Sequence, residues 1–343
     1  MDSNFALREI FLDYAPQMQV LTNFLKSFEL DLDDDVEYAV GMYDDDEIVG
    51  CGAYSKNILK CFAVKEELRG MNALNIIASH LINKQFERRV FHLFVYTKPN
   101  NILFFESMGF YVVESVEGVA LLENVKNGIE DYLNSLDKNT FIKGNIGSIV
   151  MNCNPFTLGH EYIVEYASKN CDLLYLFLVE EDKSMFPFDV RYELVKEGIS
   201  KFKNVRLHKS GNYIISSTTF PSYFIKDKYK RVNISAALDL KIYAEHIAKY
   251  LNISKRFIGK EPYCQVTNQY NNLMNTILPH YGIEVIEIER KDIDGKAISA
   301  SSVRAHIKQF GVSDELKELV PLSTYNFLKS ERASEIIHKI QNT

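Results

Sequence analysis

Apolar residues recur every three to four positions over 16–29 (PQMQVLTNFLKSFE), which predicts an amphipathic helix. The pattern then turns to short apolar runs. Residues 36–43 and 47–55 read as strands joined by the polar turn Asp44-Asp45-Asp46, a β-hairpin. A strand at 58–64, a helix at 70–87, a strand at 90–96 and a helix at 101–108 follow. The runs 111–113 and 119–122 finish a first sheet, and 125–139 predicts a linking helix. From 146 onward strands and helices alternate. Strands are expected at 146–152, 173–179, 204–208, 231–237, 254–259 and 283–289. Helices are expected from Leu158 and at 188–202, 239–252 and 267–281, and the chain turns helical again from 313. This βαβα rhythm implies a parallel sheet with helices on both faces and ligands at the carboxyl ends of its strands.

Composition narrows the class. At roughly 100–200 residues per domain, 343 residues make two domains or three. A net charge of -7 argues against a nucleic-acid partner, because a phosphate-tracking surface shows as a basic excess. The five cysteines (Cys51, Cys61, Cys153, Cys171, Cys264) are widely spaced and form no C-x-x-C, which points away from a zinc site or disulfide framework and toward a reducing cytosol. The first residues (MDSNFALREI) lack the pattern of a signal peptide, and the apolar runs are too short to span a membrane. A cytoplasmic protein with no membrane partner is expected. The acidic clusters 31–35 and 44–47 read as a solvated loop and a hairpin turn rather than a metal site.

Two motifs carry the chemistry. Met151-Asn152-Cys153-Asn154-Pro155-Phe156-Thr157-Leu158-Gly159-His160 follows the first strand of the parallel region and opens a helix. A helix N-terminus offers unpaired N–H groups and a positive dipole end to an anion. Gly159 allows close approach to the backbone, and His160 can donate to an anion oxygen. Ile298-Ser299-Ala300-Ser301-Ser302-Val303-Arg304 also opens a helix, with Ser299 or Ser301 as cap. Its hydroxyls can donate to an anion, and Arg304 suits a charge-assisted, bidentate contact with a phosphate. The pair Thr157-Leu158-Gly159-His160 and Ile298–Arg304 resembles the two signatures of the nucleotidyltransferase superfamily.

The segments between them resemble the C-terminal domain of the citrate lyase ligase family. They are Glu181-Asp182-Lys183-Ser184-Met185-Phe186-Pro187-Phe188 with Arg191, Ser210-Gly211-Asn212-Tyr213-Ile214-Ile215-Ser216, Thr219-Phe220-Pro221-Ser222-Tyr223-Phe224, Ala237-Leu238-Asp239-Leu240, and Gly259-Lys260-Glu261-Pro262-Tyr263-Cys264 followed by Thr267 and Tyr270-Asn271. Residues 1–125 resemble a GNAT acetyltransferase domain. Arg69-Gly70-Met71-Asn72-Ala73-Leu74 stands at its acyl-CoA loop, with Asn72 and Leu74 where small residues are usual. Phe105 stands at the usual place of an acid tyrosine.

These resemblances imply a GNAT-like α+β domain (1–125), a linker helix (126–144) and a doubly wound, Rossmann-like parallel α/β nucleotidyltransferase domain with C-terminal helices (145–343). They imply an ATP- and Mg2+-dependent ligase that activates acetate as acetyl-adenylate and acetylates the CoA-like prosthetic group on the acyl carrier subunit of citrate lyase. The implied catalytic residues are His160, Thr157 and Arg304. The implied nucleotide contacts are Asn154, Pro155, Phe156, Gly159, Ser299, Ser301, Ser302, Arg191 and Asp239, with no protein metal ligands. Arg69, Gly70 and Asn72 are candidates for holding the CoA-like group. Two other readings stay open: a cofactor-forming nucleotidyltransferase acting on a phosphorylated small molecule, and an active GNAT acetyltransferase.

Overall fold

The computed structural model describes residues 5–68, 72–138, 142, 144–180, 184–214, 225, 228–261, 264–293 and 296–343. Two units emerge, Met1–Asp131 with Ser217–Leu238 and Tyr132–Ser216 with Asp239–Thr343.

The first unit contains β1 (Ala6–Ile10), α1 (Ala15–Ser27), β2 (Tyr38–Asp44), β3 (Glu47–Ser55), β4 (Ile58–Val64), α2 (Ala73–Glu87), β5 (Phe94–Thr97), α3 (Ile102–Ser107), β6 (Tyr111–Val116) and β7 (Val119–Glu123). The strands form one sheet in the order β1-β2-β3-β4-β5-β7-β6. Only β4 and β5 run parallel among its neighbours. Side chains alternate across the sheet. One face sends Ala39, Cys51 and Cys61 against Leu21 and Leu25 of α1. The other sends Val40, Leu59 and Val95 against Ile77 and Leu81 of α2. The α2 helix presses closest at Gly52, where an added Cβ would stand 2.7 Å from Ile77. This is the GNAT-type arrangement. Strand β1 was not expected, because its exposed, charged pattern ALREI carries little apolar signal. The expected helix at 70–87 begins at Ala73 and the strand at 90–96 shortens to β5.

The second unit opens as α4 (Gly128–Ser135) ends, shorter than the linking helix expected at 125–139. It holds β8 (Ile146–Met151), α5 (Leu158–Lys169), β9 (Leu173–Leu178), α6 (Phe188–Gly198) and β10 (Val205–Lys209). Then come α7 (Lys228–Ile242), which counts with the first unit as far as Leu238, a π-helical stretch (Tyr243–Ala248), α8 (Lys249–Leu251), β11 (Lys255–Gly259), α9 (Gln265–Ile277) and β12 (Glu284–Ile288). A small hairpin of β13 (Asp292–Ile293) and β14 (Lys296–Ala297) precedes α10 (Ala300–Phe310), α11 (Leu322–Leu328) and α12 (Ser334–Asn342). The sheet order is β10-β9-β8-β11-β12, and every pair is parallel. This is the doubly wound α/β arrangement. Its order reverses between β8 and β11, so the ligand crevice lies outside their carboxyl ends. All six residues of β9 are buried, as a central parallel strand requires.

The strand expected at 231–237 is wrong. These residues lie in α7, with Val232, Ala236 and Leu240 buried at helical spacing. Val232 and Ile234 mimic a strand only because they are β-branched. Asp239 is therefore not at a strand-to-helix junction but in the later part of a helix. Among the described residues no helix is long and apolar enough to cross a membrane.

The first sheet also buries a charge. Lys60 on β4 is 1% exposed and binds Asp33 at 3.1 Å and Asp35 at 2.8 Å. This ion cluster ties the loop after α1 to the sheet. Lys60→Met strips the buried Asp33 of this cation and is expected to destabilise the first unit by about 3–5 kcal/mol; urea unfolding followed by tyrosine fluorescence measures it.

Candidate active site

The two sequence motifs meet at the carboxyl end of the parallel sheet. After β8 the chain turns through Cys153, whose φ of 53° is unusual for a non-glycine residue, and enters α5 at Thr157. Thr157 is wholly buried. Its Oγ1 accepts the N–H of His160 at 3.3 Å, so it caps the helix. The imidazole answers this bond. His160 Nδ1 accepts the Thr157 backbone N–H at 3.1 Å and lies 2.9 Å from Thr157 Oγ1. An Nδ1 that accepts from a backbone N–H assigns the proton of the neutral ring to Nε2. The ring of buried Phe156 stacks beneath, 6.0 Å away and tilted by 12°.

At the second motif, Ser299 caps α10 by accepting the Ser302 N–H at 3.0 Å. Ser302 Oγ accepts the Ser299 N–H at 3.0 Å and donates to the Ser299 carbonyl at 2.7 Å. The Ser299 and Ser302 hydroxyls are thus spent on the backbone, whereas Ser301 is exposed at the helix start. Arg304 donates from Nη1 to the Asn154 carbonyl and from Nη2 to Ser301 Oγ at 3.3 Å. It therefore bridges the two motifs, and half-burial lowers its pKa.

The decisive contact is Gly159. An added Cβ there would stand 2.5 Å from the Ile298 carbonyl oxygen. No side-chain rotation relieves a clash with backbone, so only glycine lets the start of α5 pack on the start of α10. Two helix N-termini converge on one place.

The floor of this site is built by residues that sequence alone made into ligand contacts. Arg191 is 0% exposed and faces no crevice. Its Nε donates to the Phe186 carbonyl at 3.0 Å, and Nη1 donates to the Asn152 and Val179 carbonyls at 2.7 and 2.8 Å. Arg191 holds the motif loop from below. Asn154 Oδ1 likewise accepts the Phe186 N–H at 3.0 Å. Pro155 is buried beside Phe156. Asp239 is buried and accepts the Tyr270 hydroxyl.

Sequence reasoning missed three contributors. The Leu319 carbonyl accepts the Leu158 N–H at 2.9 Å. Buried Thr324 on α11 donates to the Phe156 carbonyl at 3.0 Å. Arg290, just after β12, is the charged neighbour acting on His160. Its signal was positional only: it follows the carboxyl end of a predicted parallel strand.

A second concavity lies in the first unit. β4 and β5 pair only at Ile58↔Phe94 and Leu59↔Val95, then separate. The gap holds a cavity of about 680 Å³, bordered by Phe62, Ala63 and Val64 of β4, Thr97, and the starts of α2 and α3. Asn72 lies on its wall, with Asn75 beside it. Asn75 donates to Asn72 and keeps a buried Oδ1 with no partner. Phe105 also lines the cavity, and Lys98 is the one titratable side chain among its described lining residues. Arg69 and Gly70 lie outside the described residues, as do 181–183, 215–224 and 262–263.

The family described as the citrate lyase ligase C-terminal domain matches residues 146–328. A Haemophilus influenzae protein named citrate pro-3S-lyase ligase is 40% identical over 320 residues, covering 91% of this chain and 95% of that one. The chain belongs to the citrate lyase ligase family. An Escherichia coli K12 member of the same name is 38% identical, covering 92% of this chain and 91% of that one. The crystal structure of a bifunctional NMN adenylyltransferase/ADP-ribose pyrophosphatase from Francisella tularensis is 16% identical, covering 58% of this chain and 52% of that one, with a TM-score of 0.36. The fold assignment rests on strand order and register. As a member of this ligase family, the chain is an enzyme.

Burial, then the nearby Arg290 charge, push the His160 pKa down from 6.5 to about 4. The unfolded chain therefore binds more protons between these values. The stability His160 contributes is whole above about pH 6.5 and falls as the pH drops toward 4, by about 3 kcal/mol at most. His160→Asn, which keeps an acceptor near Nδ1 but does not titrate, is expected to flatten this fall; urea midpoints of both proteins from pH 7 to pH 4 measure it.

Proposed function

We propose that this chain uses ATP to convert acetate to acetyl-adenylate, then passes the acetyl group to the thiol of a CoA-like prosthetic group on the citrate lyase acyl carrier. The observation that carries the reading is the junction of Gly159 with the Ile298 carbonyl, which gathers two helix N-termini, His160 and Arg304 at one crevice. Such a set of fixed donors suits a polyphosphate anion such as a nucleoside triphosphate.

In the first step a carboxylate oxygen of acetate forms a bond to the α-phosphorus, and the bond from that phosphorus to the bridging oxygen breaks. Pyrophosphate leaves with the electron pair, and no proton moves. The protein's task is alignment and charge stabilisation. His160 Nε2–H points its donor at an α-phosphate oxygen, held in that tautomer by the Thr157 N–H. Ser301, Arg304 and the free N–H groups of α10 hold the β- and γ-phosphates, with Gly159 at the α-phosphate. Thr157, Ser299 and Ser302 act through the helix caps, and Asn154, Pro155, Phe156 and Arg191 shape the loop. The donors here are cationic and hydroxyl groups rather than a carboxylate cage. Magnesium fits as an ion carried by the triphosphate oxygens, which it commonly prefers to all-protein sites.

In the second step the carrier thiolate attacks the acetyl carbonyl and AMP leaves. The cavity in the first unit is the receptor for the CoA-like arm, with the buried Asn75 Oδ1 accepting an amide N–H of that arm. Its described lining offers no acid or base comparable to a catalytic tyrosine, in keeping with a holder rather than a transferase. The working division is a GNAT-like receptor over 1–125, a link over 126–144 and the adenylating region over 145–343.

Exchange of labelled pyrophosphate into ATP tests the first step. Exchange that requires acetate and needs no carrier is expected, and exchange requiring a phosphorylated acceptor instead would replace this reading. His160→Ala is expected to slow it by roughly 10²–10³, as loss of one oxyanion-type donor does. For the second step, dephospho-CoA is expected to compete with the carrier in acetyl transfer while leaving the exchange rate unchanged. Inhibition of both alike would remove the first-unit cavity from the scheme.

A further inference from the structure

We propose that Arg290 is a catalytic residue of acetate activation, donating to a non-bridging α-phosphate oxygen alongside His160. This rests on the adenylation reading above and adds a residue that neither motif contains.

The backbone places Arg290 beside the motif junction. Its neighbour Lys291 accepts the Ile298 N–H at 2.9 Å. The carbonyl of that same Ile298 is the one against Gly159. Arg290 thus sits between the carboxyl ends of β11 and β12 on one side and the joined starts of α5 and α10 on the other. The side chain is fixed from behind. Nε donates to the Lys260 carbonyl at 2.7 Å, and Nη2 pairs with Glu261. Glu261 is itself held, since its Oε1 accepts the Cys264 N–H at 3.1 Å. Among the described residues these bonds occupy Nε and Nη2 and leave the Nη1 edge for a ligand.

The contrast with Arg191 separates a ligand-binding arginine from a structural one. Arg191 is 0% exposed and turns its donors to carbonyls of its own loops. The Arg290 side chain keeps 25% of its surface open, with one edge braced and, among the described residues, no partner on the other. It also lies near enough to His160 to help keep that ring neutral. A cation set beside a neutral imidazole N–H gives two donors of different strength for one group. As acetate bonds to the α-phosphorus and pyrophosphate departs, negative charge grows on the non-bridging oxygens, and a braced guanidinium stabilises it without reorganising.

Arg290→Met and Arg290→Lys in the full-length protein test this by acetate-dependent pyrophosphate exchange. Wild-type exchange run in parallel checks the adenylation reading itself. The expected result for Arg290→Met is a kcat lower by about 10²–10³, with KM for ATP and for acetate within a few-fold of wild type. Arg290→Lys keeps the charge but loses the fork, so it is expected to fall between the two. Should Arg290→Met melt early, Arg290→Lys and Arg290→Ala with added guanidinium serve instead. Partial rescue of kcat by guanidinium supports a donor at the reacting phosphate, which a merely structural role would not give. An unchanged kcat in a folded variant, a loss confined to the KM for acetate, or no rescue would overturn the proposal.

Discussion

The close approach of Gly159 to the Ile298 carbonyl is the constraint on which the rest of the second unit depends. Two helix starts share one small space, and both carry the positive end of a helix dipole. Without an anion between them they repel, so the protein must hold them there by other means. It does so with a capping arrangement at each start, with Arg304 reaching from one motif to the Asn154 carbonyl of the other, and with Lys291 pinning Ile298. The junction is preorganised in the sense that its ordering cost falls on folding rather than on ligand binding.

Polar groups in this site divide by what their donors and acceptors already hold. The hydroxyls of Thr157, Ser299 and Ser302 satisfy backbone groups of the helices they begin. Arg191 satisfies loop carbonyls beneath them. Among the described residues, Ser301 is exposed, Arg304 and Arg290 are braced on one side and only partly buried, and His160 is bonded at Nδ1 alone. A buried polar group must find a partner within the protein, so the residues a motif needs for its own shape are the ones least available to a ligand.

Legibility followed the range of the interactions. Thr157-Leu158-Gly159-His160 and the serines before Arg304 could be read in sequence, because capping involves residues three apart. The parallel sheet could also be read, since its strands are continuous apolar runs. The strand order β10-β9-β8-β11-β12 leaves no periodic trace, although it decides which loops meet. Arg290 reaches His160 only through that order, so nothing local marked it. The same limit applies to Leu319 and Thr324, which lie more than 150 residues from the carbonyl and N–H they bind. At 231–237 local preference misled outright, because Val232 and Ile234 stand two apart as in a strand, while burial follows Val232, Ala236 and Leu240 at helical spacing. Strand β1, charged and at a sheet edge, shows the opposite failure.

The bonds from Leu319 and Thr324 to the loop before α5 have a consequence for how the enzyme comes into being. The motif loop is made near the middle of synthesis, yet two of its backbone groups wait for partners made near the end. Domains tend to fold in the order in which they leave the ribosome. Here the loop before α5 lacks two of its backbone partners until the late helices emerge and dock, so a growing chain carries both motifs before their junction is complete. The junction of the two motifs is thereby completed only when nearly the whole protein exists.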